Sequence, residues 1–158
     1  MRVDVVDSAR TRSLRRAVLR PYLGDDDPLP GDDLADTVHF AVLDETDAVV
    51  GTCFVYPAPC PWRPAERPSW RLRSMATTPH RRGSGVGGAM LARAIEYIAA
   101  HGGGLLWLEA REKAVPLYAR HGLVGEGGIF VHEEQSIPHL RMWRHVQREP
   151  IGAPDSSH

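Results

Sequence analysis

The succession of strand-like and helix-like segments predicts an α/β (α+β) fold, a mixed and mostly antiparallel sheet of six or seven strands with one parallel pair near its centre. Three observations carry this reading. Two β-rich runs, 38–43 and 49–56, flank the turn-forming Asp44-Glu45-Thr46-Asp47 as an antiparallel hairpin. A strand at 70–77 precedes the helical period of Val86, Met90, Leu91, Ala94, Ile95 and Ile98, and the apolar run 105–109 follows, so strand, helix and strand make a right-handed parallel crossover. Segments 123–132 and 139–146 then form a second antiparallel pair.

The remaining elements follow in chain order. Residues 2–6 form a short strand, and Ser8 opens a helical stretch with Leu14, Ala17, Val18 and Leu19 on one face, stopped by Pro21. Acidic, proline-broken 24–33 reads as a solvated loop. Proline-dense 57–68 reads as an irregular loop, with Trp62 and Trp70 as packing residues around it. Alternation along 70–77 sets Trp70, Leu72, Ser74 and Ala76 on one side, and Arg71, Arg73, Met75 and Thr77 on the other. The long helix ends at Gly102, a short one spans 114–120 before His121-Gly122, and 1–148 is expected to be one domain with 149–158 a disordered tail.

A chain of 158 residues, 42% hydrophobic and 25% charged, has room for one domain. With 19 basic and 20 acidic side chains the net charge is −1, which removes the broad cationic field that nucleic-acid and anionic-membrane binders use, so neither partner is expected. No apolar run approaches the roughly 20 residues needed to span a bilayer, and residues 1–12 lack the apolar stretch of a secretory signal. A cytoplasmic protein is the expectation. Cys53 and Cys60 allow at most one bridge, and reduced thiols are expected. The eight histidines include no pair four residues apart, so no metal site is expected. Lys113 is the single lysine, and the Ala, Gly, Pro and Arg content suggests a bacterial source.

The most informative segment is Arg81-Arg82-Gly83-Ser84-Gly85-Val86-Gly87-Gly88. A glycine-rich turn at a helix N-terminus presents unpaired backbone N–H groups to an anion, and two arginines add charge-assisted bonds. The segment is expected to bind phosphate. Gly83, Gly85 and Gly88 also fit G-x-G-x-x-G, with Glu109 downstream at a strand end, so an NAD(P)-binding domain is an alternative. Against it, 77–82 separates strand from glycine, and a hairpin precedes the strand. A triphosphate P-loop fails, because no Lys-Ser or Lys-Thr follows.

At these residues the chain resembles the GNAT superfamily of N-acetyltransferases, whose signature Arg/Gln-x-x-Gly-x-Gly/Ala is matched by Arg82, Gly85 and Gly87. Met75-Ala76-Thr77-Thr78-Pro79 stands where the family has its strand end, and Arg111, Ala114, Tyr118, Gly122 and Leu123 follow the downstream Asn-x-x-Ala-x-x-x-Tyr-x-x-x-Gly-Phe pattern. Arg111 replaces the usual Asn and Leu123 the usual Phe. Val18-Leu19-Arg20-Pro21, Leu105-Leu106-Trp107 and Pro138-His139 are similar to an ElaA-like bacterial branch.

The resemblance implies the acyl-CoA N-acyltransferase fold, with helices on both faces and the central parallel strands splayed. It implies acetyl-CoA as cosubstrate, transferred by direct attack to a small-molecule or peptide amine, and allows a homodimer. The pyrophosphate would lie on the amides of Gly83, Ser84, Gly85, Val86, Gly87 and Gly88 beside Arg81 and Arg82. The pantetheine arm would follow Met75, Ala76 and Thr77, with Arg111 and Ala114 beside it. Tyr118 takes the place of the phenol that protonates the leaving thiolate, and main-chain N–H at Met75 or Ala76 would face the oxyanion. Glu109, Glu133, His132 and His139 are candidates for the base. Asp25, Asp26 and Asp27 could attract a cationic acceptor, although a solvated loop is the plainer reading. A non-catalytic acyl-CoA-binding module is the alternative of another class.

Overall fold

A computed structural model describes residues 1–7, 9–11, 14, 36–131 and 136–150. Most of the helix expected from Ser8, the acidic segment with Asp25–Asp27, His132, Glu133 and the last eight residues of the expected tail lie outside the described residues. Glu149, inside that expected tail, donates its backbone N–H to the Ala99 carbonyl at 2.8 Å.

Seven strands form one sheet in the order β1-β2-β3-β4-β5-β7-β6. They are β1 (Arg2–Val6), β2 (Val38–Leu43), β3 (Val49–Pro57), β4 (Ser69–Thr77), β5 (Gly104–Arg111), β6 (Val124–Val131) and β7 (Pro138–Val146). All neighbours are antiparallel except β4 and β5. The β2–β3 turn closes as its residue types predict. Asp44 Oδ1 accepts from the Thr46 N–H at 2.8 Å, the Thr46 hydroxyl at 2.7 Å and the Ala48 N–H at 3.1 Å.

The helix α1 (Val86–Ala100) buries Val86, Met90, Leu91, Ala94 and Ile98, the i, i+4, i+5, i+8, i+12 stripe seen in the sequence. They pack with Phe40, Val42, Leu72, Leu106, Leu108 and Met142 into the main core. Each fully buried Leu, Ile or Met contributes on the order of 1.5–3 kcal/mol, so this one stripe holds the helix on the sheet. The opposite face carries the 57–68 loop. There Cys60, Leu105 and Trp107 form a second buried cluster, with Ala58, Trp62 and Trp143 against it. Trp107 donates its indole N–H to the Ala58 carbonyl at 2.9 Å, and the Trp62 ring meets it edge-on. Trp62 packs in this cluster and Trp70 in the main core, so both are packing residues.

Two features of β4 shape the centre of the sheet. First, β4 and β5 pair only at Ser69–Leu105, Trp70–Leu106 and Arg71–Trp107, although β4 continues to Thr77 and β5 to Arg111. The sheet is split beyond Arg71. Second, Thr52 faces Ala76 while Phe54 faces Arg73, so Cys53 alone opposes Ser74 and Met75, and Ser74 takes a φ of 59°. This is a β-bulge. It overturns the simple alternation expected for 70–77: Met75 packs on the same core as Trp70 and Leu72, because the extra residue reverses the facing beyond Ser74.

Candidate active site

The chain leaves β4 through Thr78, whose N–H and hydroxyl both donate to the Val50 carbonyl at 2.9 Å, and makes one 3-10 turn at Pro79–Arg81. Gly83 and Gly85 then take φ values of 84° and 86°, left-handed conformations that cost an L side chain roughly 1–2 kcal/mol. No side chain caps α1 at Gly85. The first helical bond runs from Ala89 N–H to the Gly85 carbonyl at 3.0 Å, so the amides of Val86, Gly87 and Gly88 precede the ladder and point out of the helix end.

Those amides open on a cavity of about 560 Å³. Thr77, Arg81, Arg82, Gly83, Gly85, Val86, Gly87 and Gly88 form one wall. The other wall comes from Lys113, Ala114, Leu117, Arg120 and His121, on the turn Glu112–Ala114 and helix α2 (Val115–Arg120). The helix dipole and the cations favour the same sign of ligand. Arg81 is already engaged by Asp44 at 3.5 Å and Glu45 at 3.8 Å. Arg82, Lys113 and Arg120 form no ion pair among the described residues. The cavity therefore offers bare donors and uncompensated positive charge, the pattern that holds phosphate.

The expected loop residues are thus brought together, with two distinctions. Gly87 serves packing: a Cβ there would sit 3.0 Å from Leu117 Cδ2. Ser84 turns its hydroxyl back onto the Arg81 carbonyl. Sequence reasoning missed Lys113, Leu117, Arg120 and His121, although their i, i+4, i+7, i+8 spacing marks a single helix face. It also missed Gly51 on β3, where a Cβ would lie 2.5 Å from Val86 Cγ1. Its bareness lets the start of α1 seat on the sheet.

Beyond the cavity lies the split. Met75, Ala76 and Thr77 form its β4 lip, and Glu109 to Arg111 its β5 lip. Tyr118 is buried in the main core with Cys53, the residue opposing the bulge. Burial pushes its phenol well above the usual range, and Cys53 adds to the effect. Desolvation alone pushes the Cys53 thiol up to about 12.

Glu109 and His139 lie on the sheet face away from α1. Residues 106, 108 and 110 of β5 point into the main core, so 107, 109 and 111 point the other way. Glu109 accepts from Arg71 Nη2 at 2.9 Å across the end of the β4–β5 ladder. His139 stands opposite Arg111, and its Nδ1 lies 2.7 Å from the Ile137 carbonyl. A carbonyl only accepts, so Nδ1 is the donor in this contact. The structure thus sets Glu109 and His139 on one face, while Glu133 and His132 fall outside the described residues. No cluster of three metal-ligating side chains occurs among the described residues.

A comparison with known families matches residues 9–123 to the acetyltransferase (GNAT) family. The chain belongs to the GNAT acetyltransferase family. Membership makes it an acyltransferase, and the GNAT fold accounts for the mixed seven-stranded sheet with its one parallel pair. Solved structures agree in fold. An aminoglycoside 6'-N-acetyltransferase in complex with coenzyme A is 14% identical with a TM-score of 0.72, covering 96% of this chain and 100% of its own. ElaA from Escherichia coli is 17% identical at 0.69, covering 91% and 99%. An acyl-CoA N-acyltransferase from Pseudomonas aeruginosa is 20% identical at 0.69, covering 90% and 98%. No curated protein matches the chain in sequence. Among the described residues, no helix of this GNAT protein is long and apolar enough to cross a membrane.

Proposed function

We propose that this protein transfers the acetyl group of acetyl-CoA directly to the amine of a small molecule or peptide. The observation that carries the reading is the cavity where the orphan amides of α1 meet Arg82, Lys113 and Arg120 and which borders the Thr77 end of the split. Coenzyme A has the matching parts: phosphates at one end, a chain of amides in the middle and a thioester at the other.

In this proposal the amides of Val86, Gly87 and Gly88 and the Arg82 guanidinium hold the pyrophosphate. The β4 lip, Met75 to Thr77, offers main-chain groups that no β5 partner takes up, and these receive the amide-bearing arm. An alkyl ammonium at pH 7 must first lose a proton, at a cost of about 4–5 kcal/mol. Glu109 is engaged by Arg71 and is better suited to hold the ammonium, and His139, on the same face, is the group proposed to take its proton. The nitrogen then forms its bond to the acetyl carbon, with main-chain N–H at Met75 or Ala76 facing the oxyanion. As the C–S bond breaks, Tyr118, neutral through burial, donates a hydrogen bond to the departing sulfur, and the second proton lost from the nitrogen, after the one taken by the base, neutralises the thiolate.

Arg82→Ala tests the cradle. Calorimetric titration with coenzyme A should show affinity reduced about tenfold or more, the equivalent of one charge-assisted bond. Unchanged affinity would place the phosphates elsewhere. Transfer from acetyl-CoA across an amine panel tests the reaction, and tight binding without transfer to any amine would leave only a binding module.

A further inference from the structure

Where the split opens on the face away from α1, the arginines outnumber the carboxylates among the described residues. Arg73 lies two residues beyond the last β4–β5 pair, and Glu109 lies two residues beyond it on the other lip. Arg141 of β7 stands opposite Glu109, and Arg71 reaches across to it. The two described carboxylates there are already engaged. Glu109 is bound by Arg71 at 2.9 Å, and Glu126, opposite Arg141 on β6, is met by Arg63 at 3.7 Å. Arg73 and Arg141 form no ion pair among the described residues. Both are only partly exposed, Arg141 lies over the Phe130 ring at 4.5 Å, and Arg71 Nε is buried without a hydrogen-bond partner. Burial, followed by the neighbouring charge of Arg73, lowers the basicity of Arg71.

Half-buried guanidinium groups that meet no counter-ion among the described residues favour a ligand that brings negative charge. Resting on the acetyl-transfer reading above, we infer that the acceptor is an amine bearing an anionic group, a carboxylate or a phosphate, which Arg73 and Arg141 hold while Glu109 faces the ammonium. Polycationic acceptors are disfavoured by the same charges.

The test compares acceptors that share an amine. L-lysine is set against cadaverine, β-alanine against propylamine, and 2-aminoethyl phosphate against ethanolamine, at fixed acetyl-CoA. The anionic member of each pair should have a kcat/KM about tenfold or more higher, carried by KM. The carboxylate and phosphate arms identify which anion is preferred. Arg73→Gln and Arg141→Gln should abolish the preference while Arg73→Lys retains part of it, and coenzyme A titration of each variant reports folding and the cofactor site separately. Equal or better transfer to the partners that lack the anionic group, or an undiminished preference in both Gln variants, would overturn the inference and leave the acetyl-transfer reading standing. No transfer to any amine of the wider panel would sink both.

Discussion

Tyr118 combines two demands that pull against each other. It is 4% exposed and packed in the core, and that burial keeps it a neutral phenol while weakening it as an acid. It therefore suits hydrogen-bond donation to a sulfur better than outright proton release. Tyr118→Phe should lower kcat by about tenfold or more, with coenzyme A affinity unchanged in the same titration; undiminished turnover would assign the ring to packing alone. Asp44, at the far side of the loop, shows the opposite shift. The Thr46 hydroxyl, then the Thr46 N–H, lower its carboxyl below the ordinary range, against a smaller desolvation effect. A depressed folded pKa means the unfolded chain takes up the proton first, so this stabilisation is present above the unfolded value near ~3.9 and is lost as pH falls through the folded one. Carboxyl titration by NMR should show the Asp44 midpoint rising in Thr46→Ala.

Among the elements, the glycine turn and helix α1 act as one unit. Gly83 and Gly85 are required by their backbone angles and have open space where a Cβ would stand, whereas Gly51 and Gly87 are required by a neighbour. The two kinds of glycine should respond differently. Gly85→Val strains the turn and should weaken coenzyme A binding more than it lowers the melting temperature. Gly51→Ala forces Val86 and Met90 aside and should destabilise the fold by about 1–3 kcal/mol, read by urea unfolding. The hairpin and α1 were legible in advance because their information is local: turn chemistry at Asp44 and a helical period from Val86 to Ile98. The bulge at Ser74 was not. A polar Ser between Arg73 and Met75 fits either facing, and the reversal appears only when β3 supplies the register.

Across the whole molecule, the hairpin, the parallel crossover and the glycine-rich turn were open to reading, since each lies within one contiguous stretch. What escaped is what the fold assembles from distant segments. The second cationic wall joins Lys113 and Arg120 to a turn about thirty residues earlier, and the Arg71–Glu109 pair depends on how far two parallel strands run together. The extent of the β4–β5 ladder, three residue pairs, is set by tertiary geometry, and no local pattern encodes it.

In the proposed binding mode that short ladder ties the fate of the fold to its ligand. Strands β1 to β4 and the group β5, β7 and β6 are stitched directly at one end only, so β4 and β5 do not pair with each other beyond Arg71 and Trp107. A guest with amides spaced along its length, seated there, behaves as an extra strand, and cohesion of the sheet and occupancy become a single equilibrium. Coenzyme A at ~100 times its dissociation constant should add about 2.7 kcal/mol to the unfolding free energy, seen as a higher melting temperature, with slowed amide exchange concentrated in 75–77 and 109–111 rather than at the outer strands.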